Sequence, residues 1–519
     1  MRELHYRLRV VALLTAAFLV PLASASGQQT PQRGGVLRIA HVGDPPSLDT
    51  HMTGGAVPTH ILNNVYEGLF AMDSKFQPRP MLAERLDLSP DRRTYTFTLR
   101  RGVRFHHGRE MTGDDVRASL ERWGRVNPRG RVVFENVAAV TTPSPLTVVV
   151  RLKEPYALFL HEIGSYHAPA AVYPKEVIDE VPAGAPVRRF IGTGPYRVAE
   201  RFPDRHIRLD RFDGYTSRTE PSDGGTGAKH AYLDSIFFVP IPDPAIRVAG
   251  VQRNEYQFAQ NIPSDEHDRI RAIPGMQPYV ATIPFWAAVI FNNQAGLMAN
   301  NKVRQAFQAA VDSESVMRAA YGASRFWRLT PGLMPKEHPL YTEGGKELYS
   351  QNNPQRARQL LQEAGYKGEP VRWMTSTDLP PLATAAQAIK PMLERAGFVV
   401  DLQFMDWATL VGRRGRPDLW DAFSVQIPFF PDPVLMTPLQ SNWPGWWTNR
   451  DGQALIELLK RHTDPKVRVE LWARLQRLWY QDAGSLKLGD FFEMHAHRRE
   501  LKGFFEAPTN TWWNTYLER

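Results

Sequence analysis

Cysteine is absent from the 519-residue chain. Its absence excludes disulfide bonds, metal sites built from thiolates, and enzymes that use a thiol as nucleophile. It also excludes a lipid anchor attached to an N-terminal cysteine. The fold must therefore be held by packing, hydrogen bonds and ion pairs, and any functional site must be built from other side chains.

Long apolar segments are almost absent as well. The one apolar run, Val10–Leu22, follows three arginines within the first nine residues and is too short to span a bilayer. Ala23–Ala25 then offers small residues at the positions of a cleavage site. The pattern predicts a signal peptide over residues 1–25 and a soluble mature chain in the periplasm, starting near Ser26. A membrane anchor or a buried helix is the alternative.

A dense basic block and the common catalytic motifs are also missing. The 63 lysines and arginines exceed the 54 aspartates and glutamates, but they are spread along the chain, so we expect no nucleic-acid partner. There is no Gly-x-Ser-x-Gly elbow, no His-Glu-x-x-His helix and no glycine-rich phosphate loop. We therefore expect no enzyme and no cofactor. A secreted hydrolase is the alternative class, because a catalytic triad can be dispersed along a chain.

The length and the aromatic content of the chain are informative. A chain of 519 residues exceeds what one hydrophobic core usually holds, so at least two domains are expected. Thirteen tryptophans supply a large aromatic surface. Clefts between domains use such surface to bind small molecules.

Local patterns predict the main elements of the first half. Period-two alternation over Arg93–Arg100 predicts a strand with one buried face. Apolar residues at helical spacing predict one helix over residues 59–69 and another over Thr112–Trp123. Asp114 and Asp115 suit the positive end of the second helix, so capping explains this carboxylate pair.

The C-terminal half predicts an α/β unit. Val371–Ser376 and Phe398–Phe404 have strand character, and a helix over residues 382–397 lies between them. At this spacing the two strands are expected to pair in parallel. Asn353 followed by Pro354 predicts the start of another helix.

Short motifs follow one another in a fixed order from Gly34 to the C-terminus. They are Gly35–Ala40, Ser47–Asp49, Val65–Leu69, Leu82–Glu84, Leu99–Gly108, Asp114–Val116, Gly192–Tyr196, Phe291–Asn292, Val303–Phe307, Ala310–Asp312 and Ala357–Tyr366. In this order the set resembles the extracellular solute-binding proteins of family 5, the oligopeptide/dipeptide/nickel-binding class of ABC transporters. Each motif is weak alone, and the ordered set is specific.

The resemblance implies an α/β fold with two lobes: a type II, cluster C-like periplasmic binding protein with an extra subdomain in the first lobe. Two crossing segments join the lobes. The implied division is 1–25 for the signal peptide, 26–62 for the first segment of lobe one, 63–187 for the extra subdomain, 188–284 for the second segment of lobe one, 285–490 for lobe two and 491–519 for the return to lobe one.

The resemblance also implies a function. Family members capture a solute between the lobes, and the closed form engages a permease. Closure works because a ligand that touches both lobes stabilises the closed state selectively. We therefore expect a monomeric periplasmic receptor of an ABC importer, with a small molecule or a peptide as ligand and an ABC permease in the inner membrane as partner.

The chain departs from the peptide-binding members at the loop Gln426–Pro433. Those members hold the peptide's α-amino group with a second-lobe aspartate, four residues before a proline. The matching position is Phe429, and Asp432 matches an adjacent acidic residue that is not the amine ligand. A phenyl ring offers an ammonium only a cation–π contact of about 0.5–2 kcal/mol. The departure favours a ligand other than an ordinary peptide, and an oligopeptide or dipeptide receptor is the alternative.

Loops that are expected to face the cleft supply the candidate ligand-binding residues. Aromatic planes suit stacking on rings, and arginine suits bidentate contact with a carboxylate. The alternatives are that the tryptophans pack the core of the second lobe and that the arginine lies in a solvated loop. The candidates are His51, Thr53, Tyr166, His167, Arg325, Trp327, Gln426, Phe429, Phe430, Asp432, Trp443, Trp446 and Trp447.

Two histidine pairs raise the question of a metal site. His106 and His107 lie in a family motif that occurs whatever the ligand. His495 and His497 alternate along a predicted strand and lack a third ligand. We therefore predict no metal.

Overall fold

The computed structural model describes residues 31–506 and 510–518. The predicted signal peptide over residues 1–25 lies outside the described residues. Within them, no helix is long and apolar enough to cross a membrane. The described part of the chain is organised around a seven-stranded, a six-stranded and a four-stranded sheet.

The first lobe is built on the mixed seven-stranded sheet. Its strand Val36–His41 pairs in parallel with Ser235–Pro240 and Phe258–Ala259, and the other neighbours pair antiparallel. In sheet order the strands are Met276–Val280, Met494–Arg498, Phe258–Ala259, Val36–His41, Ser235–Pro240, His206–Arg211 and Tyr196–Phe202.

The second lobe is built on the six-stranded sheet. Pro370–Ser376 and Val399–Met405 pair in parallel, and the helix Pro380–Arg395 connects them. The predicted strand–helix–strand unit is therefore confirmed. In sheet order the strands are Trp327–Arg328, Ser485–Phe491, Phe285–Phe291, Ala422–Ile427, Pro370–Ser376 and Val399–Met405.

The four-stranded sheet is antiparallel and lies within residues 83–152. Its strand Thr94–Leu99 alternates between half-buried and buried positions, which confirms the predicted strand with one buried face. In sheet order the strands are Ala83–Leu88, Thr94–Leu99, Thr147–Leu152 and Val137–Ser144. Short ladders pair Phe70–Met72 with Pro78–Pro80, Leu501–Lys502 with Tyr516–Leu517, and Phe505–Glu506 with Asn510–Thr511. The segment boundaries implied by the resemblance stay predictions.

Helices begin at side-chain caps, as two of the sequence patterns predict. Asn353 Oδ1 accepts from Arg356 N at 2.9 Å, and Thr112 forms a capping box with Asp115. The α-helices are Ala56–Leu62, Gly113–Val126, Pro128–Glu135, Phe159–Ile163, Lys175–Asp179, Pro244–Gln252, His267–Ala272, Asn301–Ala310, Ser313–Tyr321, Pro354–Glu363, Pro380–Arg395, Trp407–Arg413, Arg450–Arg461 and Pro465–Asp482. The 3₁₀ turns are Ser264–Glu266, Leu297–Ala299, Ser324–Phe326, Lys346–Leu348, Pro433–Leu435 and Thr437–Leu439.

The helix predicted over residues 59–69 is wrong in its extent, because the helix spans Ala56–Leu62. The Asn64 side-chain amide donates to His60 O at 2.9 Å and to Ile61 O at 3.3 Å. These carbonyls are acceptors that a further helical turn would need. The helix therefore ends where the side chain of Asn64 competes for its last carbonyls.

Two neighbouring segments connect the lobes. Residues 281–284 lead from the seven-stranded sheet to the six-stranded sheet, and residues 492–493 lead back. The strands on both sides of this crossing pair antiparallel, and between them Ala281 N donates to Glu493 O at 2.8 Å. One antiparallel ladder therefore runs through both lobes, which suits bending about the crossing.

A buried ion pair ties the start of the chain to the helix Gly113–Val126. The side chains of Asp49 and Arg122 are 0% and 3% exposed, and Arg122 Nη1 donates to Asp49 Oδ1 at 3.1 Å. Burial by itself raises the pKa of Asp49, but the Arg122 hydrogen bond and the nearby charges hold it below its ordinary value. Because both side chains are buried, water cannot solvate either charge, and each charge is stabilised by the other.

Replacing Arg122 by Leu is expected to destabilise the folded chain by about 3–5 kcal/mol, because it leaves the Asp49 carboxylate buried and without its counter-ion. Urea unfolding followed by circular dichroism measures the change. Arg117→Leu on the same helix is the matched control: its ion pair with Asp114 is exposed, so about 1 kcal/mol or less is expected. Equal losses in the two variants would contradict the role assigned to the buried pair.

Candidate functional site

The two lobes are in contact across a small cavity. Ala157 N on the first-lobe side, meaning residues before position 281, donates to Lys460 O on the second lobe at 2.8 Å. The cavity has a volume of about 30 Å³, which is room for about two water molecules. It is lined by Arg129, Ser165, Tyr166 and His167 from the first-lobe side, by Ile283 from the crossing, and by Phe285, Pro428, Phe429 and Pro431 from the second lobe.

Phe429, which lines this cavity, also takes part in an aromatic contact between the lobes. The rings of Phe76 and Phe429 lie 4.1 Å apart between centroids, and the His338 ring lies 5.6 Å from Phe76 and 6.1 Å from Phe429. Phe76 comes from the first-lobe side and the other two rings from the second lobe. The position where peptide-binding relatives are expected to carry a carboxylate is thus filled by a packed phenyl ring.

The turn that presents Phe76 is strained. Phe76 has a φ of 61°, in a region that a bulky residue adopts only when its surroundings impose it. Asp73 imposes it, since its Oδ1 accepts from Lys75 N at 2.9 Å and from Gln77 N at 2.8 Å. The strain keeps the ring directed at the second lobe.

The loop that presents Phe429 is anchored at its far end. Asp432 forms a buried ion pair with Arg468, and Asp432 Oδ1 accepts from Val434 N at 3.0 Å. His338 Nε2 donates to Pro431 O at 3.1 Å. Asp432 therefore holds the loop in place: it is buried, each of its oxygens already accepts a hydrogen bond, and its charge is paired with Arg468.

Arg129 and His167 are among the polar side chains that line the cavity from the first-lobe side, together with Ser165 and Tyr166. Arg129 Nη1 donates to Ser165 Oγ at 2.9 Å. His167 Nδ1 lies 3.1 Å from Thr59 Oγ1. Burial and the neighbouring Arg129 lower the pKa of His167 to about 4, so the imidazole is neutral at neutral pH.

A second cavity of about 40 Å³ lies on the first-lobe side and shares Ser165 and Tyr166 with the cavity between the lobes. A buried pair lines it, in which Lys229 Nζ donates to Glu67 Oε1 at 3.2 Å. Lys229 also lies 4.4 Å above the Trp513 ring. The carboxylate of Glu67 is further held by Tyr215 and Thr193. These charges are neutralised internally.

The comparisons with known proteins agree with this geometry. Residues 77–445 match the model of the bacterial extracellular solute-binding proteins, family 5. The chain belongs to this family.

Relatives and solved structures extend the match over most of the chain. A probable peptide ABC transporter periplasmic-binding protein of Sinorhizobium fredii is 28% identical over 479 residues, which cover 89% of this chain and 90% of that protein. The fold is similar to that of a DppA protein from Helicobacter pylori in complex with the peptide STSA, with a TM-score of 0.78, 20% identity and coverage of 94% and 99%. It is also similar to AgaA of A. tumefaciens R10 in complex with agropinic acid, with a TM-score of 0.74, 22% identity and coverage of 93% and 99%.

The two-lobed α/β prediction is thereby confirmed, and the chain is a substrate-binding protein of the ABC importer class. The family consists of binding proteins for transporters, so the secreted hydrolase loses its support. One solved relative holds a peptide and another holds agropinic acid. The family-5 fold therefore leaves the ligand open.

Of two further candidate residues, Tyr166 lies at the contact between the lobes, and Phe430 lies among residues of the crossing and the second lobe. Tyr166 lines both cavities, and its hydroxyl donates to Met72 O at 2.8 Å. Phe430 is buried next to Phe429, against Trp286 and Leu333. Their ligand roles stay predictions.

Four candidates lie outside the two cavities. His51 is buried in the Asp49–Arg122 network, where its Nε2 donates to Ala171 O at 2.8 Å. Thr53 is half-buried in the loop that follows. Arg325 is exposed and lies 3.4 Å from Asp268 Oδ1, and Trp327 Nε1 donates to Gly322 O at 2.9 Å. The structure gives His51 and Trp327 structural partners, and it leaves Arg325 in a solvated position.

The remaining four candidates are second-lobe residues. Gln426 Nε2 donates to Tyr321 Oη at 3.4 Å. Trp443 packs against Phe423, Trp446 stacks on Trp420 at 5.6 Å, and Trp447 Nε1 donates to Asp482 Oδ2 at 2.7 Å. The three tryptophans thus pack within the second lobe, and the structure does not bring them to the cavity that Phe429 lines.

Sequence reasoning missed Arg129, Phe76 and His338. Arg129 stands directly after the Asn127-Pro128 helix start, and no local pattern distinguishes it from the exposed arginines around it. Phe76 follows an Asp-Ser-Lys turn, and an aromatic residue at a turn tip was the available signal. Within residues 31–506 and 510–518, no cluster of three or more potential metal-ligating side chains occurs.

Removing either ring of the Phe76–Phe429 pair is expected to open the lobes. Phe76→Ala and Phe429→Ala each lose an aromatic contact of about 0.5–1.5 kcal/mol beyond the buried area. We expect a larger mean radius of gyration in small-angle X-ray scattering for each variant, and no further increase in the double variant. Phe404→Ala, an exposed second-lobe phenylalanine, is the matched control. Additive increases in the double variant would contradict a direct coupling of the two rings.

Proposed function

We propose that this family-5 protein binds a small organic solute in the cleft between its lobes and delivers it to an ABC permease in the inner membrane. The observation that carries the proposal is the cavity itself. It is lined from the first-lobe side, from the crossing and from the second lobe, so a bound solute touches all three parts. Such a solute stabilises the closed arrangement selectively.

The crossing supports the same role. The paired segments at residues 281–284 and 492–493 permit bending between the lobes. A permease that engages only the closed form then receives loaded receptors in preference to empty ones. We further propose that the protein acts as a monomer in the periplasm, without a lipid anchor and without a nucleic-acid partner.

The ligand is proposed to differ from an ordinary free-amine peptide. Phe429 packs on Phe76, and the neighbouring Asp432 is occupied by Arg468. An ammonium placed here has no free carboxylate to pair with, and burying an unpaired charge is costly. The ordinary oligopeptide or dipeptide receptor stays the alternative within the binding class, since the relative from Sinorhizobium fredii is named as a probable peptide-binding protein.

A thermal-shift screen of the mature chain tests the receptor role. The panel contains dipeptides to pentapeptides, sugars, opines, amines and metal chelates. We expect at least one organic solute to raise the melting temperature by mass action and to reduce the radius of gyration. Recovery of that solute unchanged is also expected. Its conversion to a product would instead support a hydrolase.

Placing a carboxylate at position 429 tests the proposal that Phe429 disfavours ligands with a free amine. Phe429→Asp is expected to bind free-amine dipeptides at least about tenfold more tightly than Phe429→Asn does, because a charge-assisted hydrogen bond contributes about 1.5–3 kcal/mol. Isothermal titration calorimetry at two salt concentrations measures the difference. Phe429→Asn has nearly the same volume and no charge, so it separates charge from cavity formation. Equal dipeptide affinity in the two variants, or tight dipeptide binding by the unaltered protein, would overturn this assignment.

A further inference from the structure

The guanidinium of Arg129 borders the cavity between the lobes without a counter-ion. Its hydrogen-bond partner is Ser165 Oγ at 2.9 Å, and in the described part of the chain it forms no ion pair. The cavity lining contains no carboxylate, and the remaining donors of this guanidinium have no anionic partner among the described residues. A buried or half-buried arginine in this situation favours a ligand that brings the negative charge.

Glu162 is an acidic side chain that interacts electrostatically with Arg129, and it forms no ion pair with it. Burial raises the pKa of Glu162 to about 7, even though Arg129 acts in the opposite direction. Its Oε1 lies 3.5 Å from the Tyr156 hydroxyl, and its Oε2 has no hydrogen-bond partner. The carboxyl group is therefore about half protonated at neutral pH, and because it forms no ion pair with Arg129 it compensates that positive charge only in part.

The hydrogen bonds of Thr59 fix the tautomer of His167. The Thr59 hydroxyl donates to Gly55 O at 2.8 Å, so its oxygen must accept from His167 Nδ1–H at 3.1 Å. The proton of the neutral imidazole is thus on Nδ1, and Nε2 is left as an acceptor. Nε2 has no hydrogen-bond partner among the described residues. A ligand at this position would satisfy Nε2 with an N–H or O–H donor.

The second-lobe wall of the cavity is uncharged, so it disfavours a charged group on that side of the ligand. Pro428, Phe429 and Pro431 contribute rings and no charge. Tyr166 cannot donate to a ligand, because its hydroxyl hydrogen is used on Met72 O. The cavity therefore combines one free cation, one free acceptor and an apolar wall.

We propose that the cleft takes a small carboxylate whose nitrogen is acylated or absent, of which an N-acyl amino acid is the simplest example. Arg129 binds the carboxylate, His167 Nε2 accepts from the amide N–H or from a hydroxyl, and the Phe429 side of the cavity covers the uncharged remainder. The proposal rests on the receptor function proposed above and names the class of its solute. The cavity has room for about two waters, so the lobes must stand further apart to admit such a molecule and then close around it.

Matched ligands test the assignment of the charges. The probes are N-acetyl derivatives of leucine, phenylalanine, serine and glutamate, each compared with its N-acetyl amide and with the free-amine dipeptide of the same residue. We expect at least one N-acetyl amino acid to raise the melting temperature and to bind in calorimetry, while its amide and the free-amine dipeptide bind at least about tenfold more weakly.

Two arginine variants on one helix test the residue. Arg129→Gln is expected to lower the affinity for the N-acetyl amino acid by about tenfold or more, and Arg129→Lys is expected to restore part of it. Arg131→Gln removes the same charge from an exposed position of the same helix and is expected to bind as the unaltered protein does. Equal affinities for Arg129→Gln and Arg131→Gln would overturn the proposal.

An ester analogue tests the role of His167. Replacing the amide N–H of the ligand by an ester oxygen removes the donor and is expected to weaken binding to the unaltered protein by about tenfold. The His167→Phe variant is expected to bind amide and ester equally, because the acceptor is gone. If His167→Phe still distinguishes the two ligands as strongly, this part of the proposal is wrong.

Failure of this inference is distinguishable from failure of the receptor function. If free-amine peptides, sugars or chelates close the lobes and no N-acetyl amino acid has any effect, the proposed ligand class is wrong. The proposed receptor function would still stand. If no solute in either panel changes the melting temperature or the radius of gyration, both proposals fail.

Discussion

The paired crossing between the lobes is the constraint on which the rest of the structure depends. Residues 281–284 and 492–493 lie side by side in one antiparallel ladder, so the two sheets can bend towards each other but cannot drift apart. The crossing restricts how the lobes can lie relative to each other. The contacts across the cleft, such as Phe76–Phe429 and the Ala157–Lys460 hydrogen bond, depend on that restriction. The cavity therefore depends on the contact between the lobes, which brings the first-lobe group around Arg129 and the second-lobe loop around Phe429 to opposite sides of one space.

Charge is distributed unevenly around this cleft. Three buried ion pairs neutralise their own charges: Asp49 with Arg122, Glu67 with Lys229, and Asp432 with Arg468. Such pairs hold loops in place and offer little to a ligand. Arg129 differs because the side chains around it do not answer its charge. Since most buried charges near the cleft are neutralised, a single uncompensated one has a large influence on which solutes are retained.

The sequence predicted well what depends on neighbours along the chain. The parallel strand pair around the helix Pro380–Arg395 and the alternating strand Thr94–Leu99 follow from local periodicity, and the ordered motifs carried the two-lobed fold. It predicted less well what depends on distant packing. The tryptophan loop has the composition of a binding surface, yet its rings pack within the second lobe. Phe76 and Arg129 come to lie at the cleft only through the packing of the second lobe against the first. Local sequence periodicity cannot predict such a contact between distant segments.

The anchoring of the loop before Asp432 has an evolutionary consequence. The loop is fixed by an ion pair at Asp432 and by the main-chain carbonyl of Pro431, while the side chains that border the cavity lie just upstream. Position 429 can thus be exchanged while the loop keeps its path. After gene duplication, one or two substitutions near position 429 would change the ligand specificity of such a receptor. Its folding and its interaction with the permease would stay the same.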